Sequence, residues 1–258
     1  MLGKLLKYEI KATGRLFVPV YLVLLLFAAV NRFLNPFQAF QASNSFDFQI
    51  ALRILGTIIY FALLVGLMVM TLIIVLQRFY KNLLGNEGYL MFTLPVKSWM
   101  HITSKLLVSL MWTLLSFLTF MVSLIIMAIN QDILREIPRL IRLFLDSFGV
   151  KGLVIMPLYA ILAWTLNILM FYSAMALGHL FSRHRIIASF GMYCLLYIAY
   201  QIIMVVFVLL FGVDLLQSGP SPATLNSFIS SLSIIAVLLI AGLFGLANSI
   251  LKRKLNLE

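Results

Sequence analysis

Six stretches of this chain are nearly unbroken runs of Leu, Ile, Val, Phe and Met, each close to or above 20 residues long. That length matches what a helix needs to cross ~30 Å of hydrocarbon. Such runs constrain folding more than any motif, because lipid offers no partner for a backbone amide or carbonyl and a span must satisfy both internally. The runs also lack the apolar-polar alternation of a membrane barrel, so helices are the expected spans. They are placed at Leu16 to Leu34, Leu52 to Leu76, Ile102 to Ile129, Leu153 to Phe181, Ile186 to Phe211 and Phe228 to Leu251. The expected fold class is an all-α integral membrane protein with six transmembrane helices. Composition agrees: 63% of residues are hydrophobic and only 10% charged, against about 25% charged in soluble domains. Residues 1–258 therefore read as a single transmembrane domain, with no room for a separate catalytic one. The first run follows fifteen mostly polar or basic residues and has no Ala-x-Ala cleavage pattern, so it is expected to be a retained helix rather than a signal peptide.

Charge sets the expected orientation. The N-terminal segment, the connection between spans two and three with Lys105 at the start of span three, the pair Arg183 and Arg185, and the C-terminal segment hold 13 of the 19 basic residues, leaving 6 on the opposite side. Cytoplasmic loops carry such an excess, so both termini are expected in the cytoplasm and the chain in the cell membrane as a multi-pass protein. The net charge of +11 then sits mostly where anionic lipid headgroups attract it. Membrane lipids are the expected partner of this charge, and nucleic acid is not.

Two connecting segments have amphipathic patterns. In residues 1–15, Lys4, Lys7 and Lys11 form one stripe and Leu2, Leu5, Leu6 and Ile10 cluster opposite, the pattern of an interfacial helix on the inner leaflet. Glu9 falls on the apolar side and reads as an exposed acid at the edge of that stripe. In residues 130–151, Ile133, Leu134, Ile137, Leu140, Ile141, Phe144, Leu145 and Phe148 share one face, opposite Arg135, Arg139, Arg142 and Asp146. An extracellular amphipathic helix is expected, its regular part starting near Pro138 because an interior proline costs about 3 kcal/mol. Between spans five and six, the stretch from Asp214 to Pro222 fits both a tight external loop and partial re-entry into the membrane.

Catalytic patterns are missing. The sequence has no Gly-x-x-x-x-Gly-Lys-Ser/Thr phosphate loop, no His-Glu-x-x-His and no Gly-x-Ser-x-Gly elbow. His101, His179 and His184 lie near span ends and read as interfacial residues rather than metal ligands, and Cys194 reads as a small packing residue. The spans contain only Arg32, Arg53 and Lys105 as charges, each near an end, which argues against a proton or sodium relay. Their neutral polar residues, Asn167, Ser173, Tyr200, Gln201, Thr113 and Ser116, are expected to hydrogen-bond between helices. Ala241, Gly245 and Ser249 recur every fourth residue of the last span and form an expected helix-packing face, within the subunit or between subunits.

The most specified polar stretch is Gln77 to Lys97, between spans two and three and on the cytoplasmic side by the charge count. Tyr80, Leu83, Leu84, Tyr89, Met91 and Phe92 supply aromatic and apolar anchors of the kind that carry interface energy, and Lys81 and Glu87 supply polar contacts. Gly85 and Gly88 permit turns, and Pro95 holds Leu94 extended. With its six spans, basic amphipathic N-terminus and inward ends, an island running from Phe79 through Val96 makes the chain resemble the permease subunits of ABC-2 type transporters of Gram-positive bacteria. The layout match covers the whole chain and the local match only the island. The resemblance implies that residues 77–97 form a coupling segment docking on a separate ATPase subunit, which binds ATP and Mg; this chain holds no cofactor. It further implies a second permease subunit, identical or related, and export of an amphipathic or hydrophobic substrate such as a peptide or lipid-like compound. The alternative from another class is a non-transporting membrane assembly or sensor protein that binds a cytoplasmic partner.

Overall fold

The computed structural model describes residues 2–34, 48–85, 96–128, 131–181, 183–212, 219 and 221–253, and all of the regular structure among them is helical. The helices are α1 (Leu2–Leu34), α2 (Phe48–Phe79) continued by a π-helical turn (Tyr80–Leu84), α3 (Ser98–Ala128), α4 (Gln131–Gly178), α5 (Arg185–Phe211) and α6 (Pro222–Arg253). Six helices are long and apolar enough to cross a membrane. Their wide exposed apolar surface, from Leu22 and Leu26 on α1 to Leu209 and Leu238 on α5 and α6, suits a lipid surrounding.

The chain divides into two compact units. One comprises residues 1–75 and 107–136, and the other residues 76–106 and 137–258. In the first unit, Leu24, Ala28, Tyr60, Leu64, Leu67 and Met127 form one buried cluster, and Phe17, Ile74, Val108 and Trp112 form another. Phe17 stacks on Trp112 with ring centroids 4.6 Å apart. Neutral polar side chains cross-link the same helices. Trp112 Nε1 donates to Thr13 Oγ1 at 2.7 Å, Ser116 Oγ lies 2.8 Å from Tyr21 Oη and 2.9 Å from Thr71 Oγ1, and Tyr60 Oη lies 3.0 Å from Ser123 Oγ. Inside a bundle these groups bond to one another because the surroundings hold no competing water.

α1 is one helix of 33 residues, so the amphipathic start and the first span are continuous. Lys4, Lys7 and Lys11 are exposed, as the stripe requires. Glu9 is the exception to expectation. It is buried at 8% exposure, on the inward face with Thr13 and Phe17, instead of lying exposed at the edge of the stripe. The i, i+4, i+8 spacing of these three residues continues the buried face of the span into its polar extension.

In the second unit, Leu166, Met170 and Ala236 form the buried centre of α4 and α6, with Tyr193, Leu196 and Tyr200 of α5 against it. α4 runs helically from Gln131 through Pro138, so the break expected at the proline falls instead at Gly149. There φ is 63° and ψ is −177°, a region essentially confined to glycine. Pro138 removes one backbone rung without ending the helix, whereas Gly149 redirects the chain into the fourth span. α6 starts earlier than hydropathy suggests, because Ser221 Oγ accepts from the Thr224 amide at 3.2 Å and caps a helix whose first residue is Pro222. Of Asp214 to Pro222, only Gly219, Ser221 and Pro222 are described, so the question of re-entry lies outside the described residues.

Candidate functional site

The candidate site lies within the second unit, at the end of α2. The α-helical face Thr71, Val75, Phe79 continues at the same spacing to Leu83, and Asn82 and Leu84 on either side of it are buried as well. At Tyr80 the helix widens to π-helical bonding, and its last bond runs from the Gly85 amide to the Tyr80 carbonyl at 2.8 Å. π-helical turns are rare and persist where surrounding contacts over-determine them.

Those contacts come mainly from the end of α4. Phe79 stacks on Tyr172 with centroids 3.9 Å apart and planes 13° from parallel, both rings fully buried. Tyr80 lies tilted against His179 at 6.4 Å. The His179 ring also hydrogen-bonds the Leu84 backbone, while its Nε2 is 3.4 Å from Arg185 Nη1 on α5. A guanidinium only donates, so Nε2 accepts in this contact. Burial pulls the His179 pKa below its ordinary value, and the Arg185 charge lowers it further against the opposing Leu84 bond.

α5 is locked onto this end of α4 by close approach. A Cβ on Gly178 would collide with Oγ, Cα and N of Ser189, so only glycine admits the crossing. His184, with φ 54° and ψ 47°, takes the left-handed conformation that starts α5. Ser173 Oγ donates to the Leu243 carbonyl of α6 at 3.1 Å. The end of α2 is thereby tied to α4, and through α4 to α5 and α6.

The expected docking residues separate into three groups. Leu83 and Leu84 are buried inside the chain at 0% and 3% exposure, so they anchor the turn to its own bundle instead of presenting it to a partner. Lys81 is exposed, and Tyr80 and Gly85 are half-buried. Glu87, Gly88, Tyr89, Met91 and Phe92 lie outside the described residues.

Several other expectations change. Ala241, Gly245 and Ser249 are exposed, and the face of α6 that packs within the chain carries Ala236, Ala247, Ile250 and Leu251. The small-residue stripe is turned away from that seam, which leaves packing between subunits as its expected role. Cys194 is likewise exposed rather than packed. His101 and His179 are buried, and only His184 is exposed as an interfacial histidine would be. Lys105 is buried at 3% exposure, which its position near a span end did not signal. Ser116 and Ser173 bond across helices as expected, but Asn167 and Thr113 bond to carbonyls of their own helices. Among the described residues, no three His, Cys, Asp or Glu side chains gather as a metal site. Comparison with protein-family models, curated proteins and solved structures finds no match to this chain.

Proposed function

We propose that this chain is the membrane-spanning permease subunit of an ATP-driven transporter of the ABC-2 type, taking its energy from a separate ATPase subunit that binds ATP and Mg. The observation that carries this reading is the anchoring of the Tyr80–Leu84 turn: one side is buried against α4, while Lys81 faces outward. A load applied at the exposed side passes through the Phe79–Tyr172 stack and the His179–Leu84 bond into the end of α4. Close-packed contacts transmit such a load because interiors are nearly incompressible. The bundle then alternates between inward-open and outward-open states as the ATPase subunits close on nucleotide. Both termini and the coupling segment face the cytoplasm, a second permease subunit completes the pathway, and the cargo is an amphipathic or hydrophobic compound such as a peptide or lipid.

The test is co-purification with candidate ATPase subunits. Alanine at Lys81, Glu87 and Tyr89 is expected to abolish complex formation, while Asn167→Ala, at an exposed position within α4, leaves it intact. Unchanged complex formation and ATP turnover in the triple variant would defeat the coupling role.

A further inference from the structure

At the Gly149 kink within α4, in the same unit as His179, the kink and the start of α6 flank an open cavity of about 550 Å³. That size falls in the ~300–1,000 Å³ range of small-molecule sites. The cavity is held open by a specific bond: Asn226 Nδ2 of α6 donates to the Phe148 carbonyl at 2.7 Å, catching the backbone where the kink interrupts the helix. Phe148, Val150 and Ile155 give it an apolar wall, and Lys151, Ser227 and Ser230 give it a polar one. Neither the coupling role nor the packing of the bundle uses it.

We infer that this cavity binds an anionic amphiphile, with a phosphate-bearing, hydroxyl-carrying headgroup on Lys151 and the beginning of an acyl chain along Phe148 and Ile155. Among the described residues, Lys151 is the one cation lining the cavity and makes no ion pair. An ammonium group has three donors and no acceptor, so its natural complement is an anion. Ser227 and Ser230 donate to the Thr224 and Asn226 carbonyls at 2.9 and 2.7 Å. Their oxygens are thus left as acceptors, which suits ligand hydroxyls. Lys151 stands just before the apolar run that opens at Leu153, the depth at which a spanning helix meets headgroups. A lipid headgroup and a free phosphate share this chemistry, but only the lipid uses the apolar wall. The inference is independent of the transport reading.

Calorimetric titration of the detergent-solubilised full chain tests it, using short-chain phosphatidylglycerol, phosphatidylcholine of equal chain length, and inorganic phosphate. One saturable site is expected for phosphatidylglycerol, with phosphatidylcholine and inorganic phosphate at least tenfold weaker. Lys151→Gln should weaken phosphatidylglycerol tenfold or more, Lys151→Arg should retain it, and Ser230→Phe should remove it by filling the cavity. Lys97→Gln, in a different exposed segment, should leave it unchanged. Lys151 is exposed, so its substitutions leave the fold intact even if the phenylalanine does not. Equal binding by Lys151→Gln, equal binding of phosphatidylcholine, or equal binding of inorganic phosphate would each overturn the assignment.

Discussion

Gly178→Ala is a small substitution with a large expected effect. Elsewhere in a helix, replacing glycine by alanine stabilises by roughly 0.5–1 kcal/mol, because the unfolded chain loses freedom. At Gly178 the added Cβ meets the Ser189 amide nitrogen and Cα as well as the hydroxyl, well inside the 3.0 Å that Cβ contacts keep. Ordinary contact begins at 3.4 Å, so α5 must withdraw by about 1 Å, and backbone atoms cannot rotate aside. Overpacking of this kind costs typically ~1–3 kcal/mol. The withdrawal also stretches the Arg185–His179 contact, already 3.4 Å long. Set against the gain in helix propensity, a net loss of about 1–2 kcal/mol follows, roughly tenfold in the folding equilibrium. Gly191 and Gly245 are the controls, since a Cβ at either meets nothing within 4 Å. Reversible unfolding in mixed micelles should show Gly178→Ala destabilised and Gly191→Ala and Gly245→Ala unchanged or slightly stabilised. If all three variants unfold alike, the close approach of α4 and α5 is not what fixes this end of the bundle.

Three further outcomes follow from the same contacts. Because the folded pKa of His179 is depressed, the unfolded state binds the proton more readily, so this residue's contribution is full above the ordinary value of about 6.5 and is lost as pH falls below it. His179→Gln should flatten the acid limb of stability between pH 7 and 5, and an unchanged limb would exclude His179 as its source. Trp112→Phe deletes the indole donor to Thr13 and shrinks the ring stacked on Phe17, and should cost about 1–2 kcal/mol in the same unfolding assay. Asn167→Leu removes only a bond to the residue's own helix from an exposed position and should change stability by less than about 0.5 kcal/mol.

The spans were legible because hydropathy and length alone decide them, and the ends were less so because local chemistry moves them. Ser221 and Pro222 start α6 several residues before Phe228, a capping signal present in the sequence but masked by the polar composition of the first turn. Phe79 and Leu83 continue the four-residue spacing of Thr71 and Val75, so their burial was also readable. The charges Arg78 and Lys81 beside them suggest a solvated loop instead. The π-helical widening at Tyr80, the left-handed His184 and the tight crossing at Gly178 left no comparable mark. Each depends on which helix lies opposite, and periodicity within one helix carries no such information. For the same reason Ala241, Gly245 and Ser249 identified a small-residue stripe without saying whether anything packs on it within the chain.

The central claim is that ATP hydrolysed by another chain moves cargo through this one, by way of the turn at the end of α2. The direct measurement is ATP-dependent movement of a fluorescent amphiphilic peptide or lipid across vesicles containing this chain and the proposed ATPase subunits. The account predicts transport that requires both components and hydrolysable ATP, and that is lost in the Lys81, Glu87 and Tyr89 alanine variant. An assembled complex that hydrolyses ATP and moves no cargo, or transport indifferent to that variant, would contradict it.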